Sequence, residues 1–148
     1  MSRTHRRIAA TLTTASALAL TGCSLDGLIW GPEGANVIDT TREHIEAAAA
    51  GDADGTVCEG RDIDLGSPSA WDGLSAEEPE EFVAEYWPEQ AEFDPTWSIN
   101  LSLPAGRVAS GVEYPGDLFY REDDGGLCLV DVAWWTVGVI GKNVWMGW

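Results

Sequence analysis

The chain has 148 residues, 45% of them hydrophobic, and 25 acidic side chains against eight basic ones give a formal charge of −17. That length supports one well-filled core rather than two. So negative a field repels phosphate backbones and anionic headgroups, which argues against nucleic-acid binding and against electrostatic attachment to a membrane.

The N-terminus divides as an export signal does. Arg3, His5, Arg6 and Arg7 make a basic start, and Ile8 to Leu20 follows without a charge. Those 13 residues fall short of the roughly 20 that a permanent membrane span needs. They suit the apolar core of a signal peptide instead. The run ends in Leu20-Thr21-Gly22-Cys23, which resembles the bacterial lipobox: an aliphatic residue, two small residues and a cysteine. The resemblance implies that the Cys23 thiol receives a diacylglyceryl group and that signal peptidase II then cuts between Gly22 and Cys23. A thiolate is the nucleophile that forms such a thioether, and small residues let the chain enter a narrow protease groove. Two acyl chains anchor stably where one of about 14 carbons holds only marginally. The resemblance covers residues 1–23 and implies the extracytoplasmic face of the cell membrane.

Loss of residues 1–22 removes three arginines and no acid, leaving 126 residues with five basic side chains against 25 acidic ones, a formal charge of about −20. Three cysteines are an awkward number in an exported chain. With Cys23 lipidated, Cys58 and Cys128 remain to pair, and an oxidising compartment favours a disulfide between them. One histidine, His44, and no second thiol pair argue against a metal site in the mature chain. No Cys-x-x-Cys spacing suggests redox chemistry, and no cofactor is expected. The abundance of Ala, Gly, Asp and Trp beside a single lysine, Lys142, is similar to that of actinobacterial lipoproteins.

Residues 23–36 are expected to form the lipidated cysteine and a tether, with Gly27, Gly31, Pro32 and Gly34. Extended, Ser24 to Asn36 would reach on the order of 45 Å. Leu28, Ile29 and Trp30 interrupt its polar character, and either lie in the headgroup layer or pack back on the domain. Residues 37–148 are expected as the single domain. Val37 to Ala50 is the best helix, with Asn36 as its cap or Thr40 to Glu43 as a later capping box. Ile38, Thr41, Ile45, Ala48 and Ala49 form its apolar stripe, and Gly51 suits a left-handed end. His44 falls beside the stripe, where a surface or edge position is expected. A short helical turn from Asp52 to Cys58, capped by Asp52, should follow. Asp52-Ala53-Asp54-Gly55 lacks the glycine and glutamate spacing of a calcium loop, even with Asp62 and Asp64 nearby.

Residues 59–76, rich in Gly, Ser and Pro, are expected as loop. Cys58, Trp71 and Cys128 mimic immunoglobulin spacing, but Trp71 stands among turn residues and Gly126 takes the tyrosine-corner place. Ser75 to Trp87 is expected as a second helix. Ser75 and Glu78 offer a capping box, Pro79 suits the first turn, and Phe82, Val83, Tyr86 and Trp87 would share a face before Pro88 ends it. Period-two alternation then begins. Trp97, Ile99, Leu101 and Leu103 alternate with Ser98, Asn100 and Ser102 in a half-buried strand. Val108 to Tyr114 is a weaker strand. Leu118 to Arg121 and Leu127 to Trp135 flank residues 122–126, a strong hairpin signal. Val137 to Ile140 and Val144 to Trp148 would complete the sheet.

This order of helices and then antiparallel strands is similar to the cone of the NTF2-like superfamily, and Ala47 to Cys58 resembles the first-helix-to-turn segment of actinobacterial lipoproteins of that kind. The resemblance implies an α+β fold with N-terminal helices on a curved antiparallel sheet; a small disulfide-stapled β-barrel or sandwich is the alternative. No catalytic motif carries over, and a fold does not fix a function. Trp87, Trp97, Asp131 and Trp135 are the candidate pocket residues, Asp131 because it interrupts an otherwise apolar strand. If it shared an inward face with Leu129 and Ala133 it would floor a polar pocket. Trp134 and Trp135 must face opposite ways, and Trp145 and Trp148 are candidates for an exposed contact. No nucleophile elbow, phosphate loop or His-Glu-x-x-His occurs. The expectation is a non-catalytic, lipid-anchored binding module of the envelope, whose partners are the membrane through its lipid and an envelope protein or small ligand. The alternative is a small NTF2-like hydrolase or isomerase working through carboxylates such as Asp62 and Asp64.

Overall fold

The computed structural model describes residues 25–103 and 115–134. The expectations for Gly22 and Cys23, for the strands 108–114, 137–140 and 144–148, and for Trp135, Trp145 and Trp148 lie outside those residues. One helix packs on an open four-stranded antiparallel sheet, an α+β arrangement.

The helix, α1, spans Leu25–Ala50 and is broken at Gly31, whose φ of 72° and ψ of 177° are not helical. Pro32 restarts it, a position where its missing N–H costs nothing and its fixed φ helps. Residues 25–36, within the expected tether, are therefore helical on either side of Gly31. The stripe past the break is as expected at Ile38, Thr41, Ile45 and Ala48, with Gly34, Val37 and His44 also buried; Ala49 is exposed. Gly51 ends the helix with φ 78°. Its N–H donates to Ala48 and that of Asp52 to Ala47, at 3.0 and 2.9 Å, the paired closure that a left-handed glycine permits. A short 3-10 turn, Asp54–Thr56, follows with no side-chain cap from Asp52 or any other residue.

The sheet is a meander of β1 (Ser75–Glu81), β2 (Trp97–Ser102), β3 (Gly116–Asp123) and β4 (Gly126–Trp134). The expected helix from Ser75 to Trp87 is thus wrong. Ser75 to Glu81 is a strand whose partners run from Ser102 back to Trp97. Pro79 is tolerated there because β1 has a neighbour on one side only among the described residues, and the register shifts between Ala76 and Pro79. A proline and four glutamates are also what keeps an edge strand from recruiting other chains. A Cβ on Gly34 would stand 2.7 Å from the Cβ of Trp30 and 3.4 Å from the Cγ of Pro79. The close approach is to Trp30 on the preceding turn of α1, while Pro79 of β1 stands at ordinary contact distance.

The β3–β4 hairpin is as expected, with a tighter turn. Asp123 pairs with Gly126, so Asp124 and Gly125 alone turn the chain. The positive φ, 111°, falls on Gly126 and not on either central residue. This matches an ordinary turn followed by a left-handed glycine more closely than the mirror-image turn that Asp-Gly usually signals. Asp123 Oδ1 accepts the N–H of Gly125 at 2.8 Å.

Two apolar layers result. Val37, Ile38, Ile45 and Ala48 of α1 cover Ile99, Leu101, Leu118, Tyr120 and Leu129, with Trp71 and Leu74 completing that core. The opposite face holds a smaller cluster, Cys58, Phe119 and Val130, beneath Phe82, Trp87 and Phe93. Phe82 and Trp87 do share a packing face, though not a helical one, while Val83 and Tyr86 are exposed.

Candidate functional site

An irregularity in β4 decides where Asp131 points. Phe119 pairs with Asp131 and Tyr120 with Leu129, so Val130 is an extra residue with no partner across the pair. A bulge of this kind shifts the alternation of side chains along its strand. Asp131 consequently leaves the face of Leu129 and shares that of Phe119 and Ala133, away from α1. There its Oδ2 accepts a hydrogen bond from Nε2 of Gln90, at 3.1 Å. Arg61 takes up the bulge from the same side. Its Nε donates to the carbonyl of Val130 at 3.0 Å, and its guanidinium carbon lies 3.6 Å from the centre of the Phe93 ring.

The Gln90–Asp131 bond joins β4 to the segment that follows β1, and an open groove of about 460 Å³ runs between them. Tyr86, Trp87, Pro88, Glu89 and Gln90 line one side, and Val132, Ala133 and Trp134 the other. That volume is within the usual range for a small-ligand site. A smaller cavity of about 230 Å³ adjoins it, lined by Ile63, Asp64, Gly66, Asp131, Val132 and Trp134. Asp64 and Asp131 therefore border one space, although Asp64 Oδ1 is already held by the N–H of Gly66 at 3.0 Å.

The expected pocket residues are only partly brought together. Trp87 lies edge-on to Phe119, with centroids 4.9 Å apart, on the face shared by Asp131. Trp97 packs on the opposite face, against the α1 core. Trp134 faces the α1 side as well, in register with Gly116, where a Cβ would come within 2.9 Å of the Ala133 carbonyl oxygen. Tyr86 lines the groove from a loop and not from the expected helical face, and Gln90, which also lines it, has no sequence signal beyond proximity to Trp87.

His44 is not at the surface or edge; it is completely buried. Its Nδ1 is hydrogen-bonded to the Thr56 hydroxyl, and that hydroxyl donates to the carbonyl of Ala53 at 2.7 Å. Since the threonine proton is committed, His44 Nδ1 must be the donor, which leaves Nε2 as a bare acceptor. Nε2 has no hydrogen-bond partner among the described residues, nor has Trp134 Nε1. Burial lowers the His44 pKa from 6.5 to about 4, because the imidazolium would lose its water without gaining an anion. Burial likewise pushes the Tyr120 phenol up, and Thr41 opposes that shift. Trp71, expected in a loop, is the largest fully buried side chain among the described residues and donates from Nε1 to Leu65 O at 2.7 Å.

Cys58 and Cys128 form a disulfide, as expected, across a sequence separation of 70. The segment around Cys58 lies against β4 through an isolated bridge from Val57 to Leu129, and the Cys58 N–H donates to Leu129 O at 2.9 Å. Among the described residues, no group of three or more His, Cys, Asp or Glu is placed to hold a metal, and no helix is long and apolar enough to cross a membrane. No family model, no curated protein and no solved structure matches the chain.

Proposed function

We propose that this protein is a lipid-anchored, extracytoplasmic lipoprotein whose domain is a non-catalytic binding module of the cell envelope. The observation that carries the reading is the pairing of Cys58 with Cys128. It commits two of three cysteines, and leaves over the one that ends Leu20-Thr21-Gly22-Cys23. A disulfide closing a long loop also suits a compartment outside the cytoplasm. Supporting a binding role, the groove beside Trp87 has a ligand's dimensions, while the mature chain's one histidine is sealed in the core. The position of α1 across one face and the bulge in β4 support a curved, NTF2-like sheet.

The test is the mass of the N-terminal peptide from protein isolated with membranes. It should begin at Cys23 and carry the diacylglyceryl group, and Cys23→Ala should abolish lipid incorporation. An unmodified Cys23 in membrane-isolated protein would end the reading. The second reading, carboxylate-based hydrolysis or isomerisation, is favoured by one observation: Asp64 and Asp131 border the same cavity. Turnover of a small substrate that is lost in both Asp64→Asn and Asp131→Asn would favour it over a binding module.

A further inference from the structure

Large apolar side chains are exposed unevenly over the described surface. Leu25, Leu28, Ile29 and Trp30 are 69%, 74%, 59% and 37% exposed, and all four fall in the six residues ahead of the Gly31 break. Leu25, Leu28 and Ile29 have the spacing i, i+3, i+4, which places them on one stripe of about 100°. Asp26 flanks that stripe, and its carboxylate bonds Arg42 at 2.9 Å, which also holds Asp39 at 3.0 Å. The polar flank of the short helix is thereby tied to the body of α1, while its apolar stripe faces away from the domain.

We propose that this stripe, with Trp30 beside it, is a lipid-contact surface that lies in the headgroup layer of a phospholipid bilayer. The inference rests on the proposed anchor at Cys23 and adds a second point of attachment to it. Chain length commits the occupant. Leu28 is five residues from Cys23 and Leu25 to Leu28 is helical, so it stands at most about 12 Å along the chain from the Cys23 backbone. An amphipathic segment resting at the boundary of headgroups and acyl chains sits about 5–10 Å deep, and tryptophan favours that layer. The acidic domain is repelled by anionic headgroups, so this contact is apolar, and insensitive to salt. With Gly31 as the bend, the short helix can lie along the surface while the rest of α1 carries the domain away from it.

The experiment uses full-length protein purified from membranes and reconstituted in phosphatidylcholine vesicles, with and without brominated acyl chains. Emission is compared between wild type and Trp30→Phe, so that the difference isolates Trp30. Brominated lipid should reduce this difference at least twofold. Leu28→Asn/Ile29→Asn, at two exposed positions, should keep the thermal transition and the acylated Cys23 while restoring Trp30 emission. Unquenched Trp30 in protein whose Cys23 is acylated overturns the inference and leaves the anchor standing. Quenching that the double variant does not change overturns it too, as does protection of Trp30 that depends on protein concentration and not on lipid, which would assign the stripe to a second copy. Quenched Trp30 above an unmodified Cys23 keeps the contact and removes the anchor.

Discussion

The imidazole of His44 stands edge-on to the indole of Trp71, with ring centroids 4.9 Å apart and planes at 74°. Trp71 meets Trp134 in the same way, at 4.9 Å and 75°. A loop residue thus bridges α1 to the end of β4, and the fully buried histidine closes one end of this aromatic row.

Acid should therefore destabilise the domain through His44. Its folded pKa is about 4 against an ordinary 6.5. Between those values the unfolded chain binds a proton that the folded chain refuses, so stability is complete above pH 6.5 and falls as pH drops through 4. A depression of this size corresponds to about 3 kcal/mol. His44→Phe, which fills the same place without a titrating group, should flatten the pH dependence of urea unfolding by that order between pH 7 and pH 4. Its absolute stability is not the readout, because the Thr56 hydroxyl loses its donor. Equal slopes for variant and wild type would show that His44 is not held neutral.

The disulfide should matter mainly through the unfolded chain. Cys58 and Cys128 close a loop of 70 residues, for which the chain-entropy model gives about 4 kcal/mol. Cys58→Ala/Cys128→Ala keeps both sites apolar and leaves no thiol at either. Its thermal midpoint should lie on the order of 10–20 °C below that of the oxidised protein, and adding reductant to wild type should give a similar fall. A drop of only a few degrees would mean that the pairing of Cys58 with Leu129, and not the covalent bond, holds this segment to β4.

Local signals sufficed where the chain's own periodicity meets one neighbour. The stripe of α1, the Gly51 stop and the β3–β4 hairpin are of this kind. They failed at Ser75 to Glu81, because proline with flanking glutamates opens a helix and protects an edge strand equally well. Only pairing with residues 97–102 decides between them. They failed again at Asp131, since strict alternation cannot anticipate the bulge at Val130. The same bulge is what separates Asp131 from the face of Trp97. His44 occupies a helical position that the stripe could have claimed, but burying it requires Thr56, 12 residues on, to accept its proton. Trp71 gave no periodic signal at all, being fixed by a loop carbonyl and two rings from distant elements.

The bulge itself depends on Arg61. Val130 has no partner across the β3–β4 pair, so its carbonyl would be a poorly satisfied acceptor in a buried strand without the Nε–H of Arg61 at 3.0 Å. The same guanidinium lies 3.6 Å from the centre of the Phe93 ring, where a planar cation stacks and an ammonium cannot reproduce both contacts. Arg61→Lys should cost about 1–2 kcal/mol in urea unfolding, since a charged hydrogen bond to a partly buried carbonyl is lost. A double-mutant cycle with Phe93→Leu should isolate a coupling of about 0.5–1 kcal/mol for the stacked pair. Because Gln90 reaches Asp131 on the same side of the strand, amide exchange at residues 130 and 131 should quicken in Arg61→Lys while that of residues 118–120 in β3 stays slow. Unchanged stability with unchanged exchange would mean that the strand holds Asp131 toward the groove without the arginine.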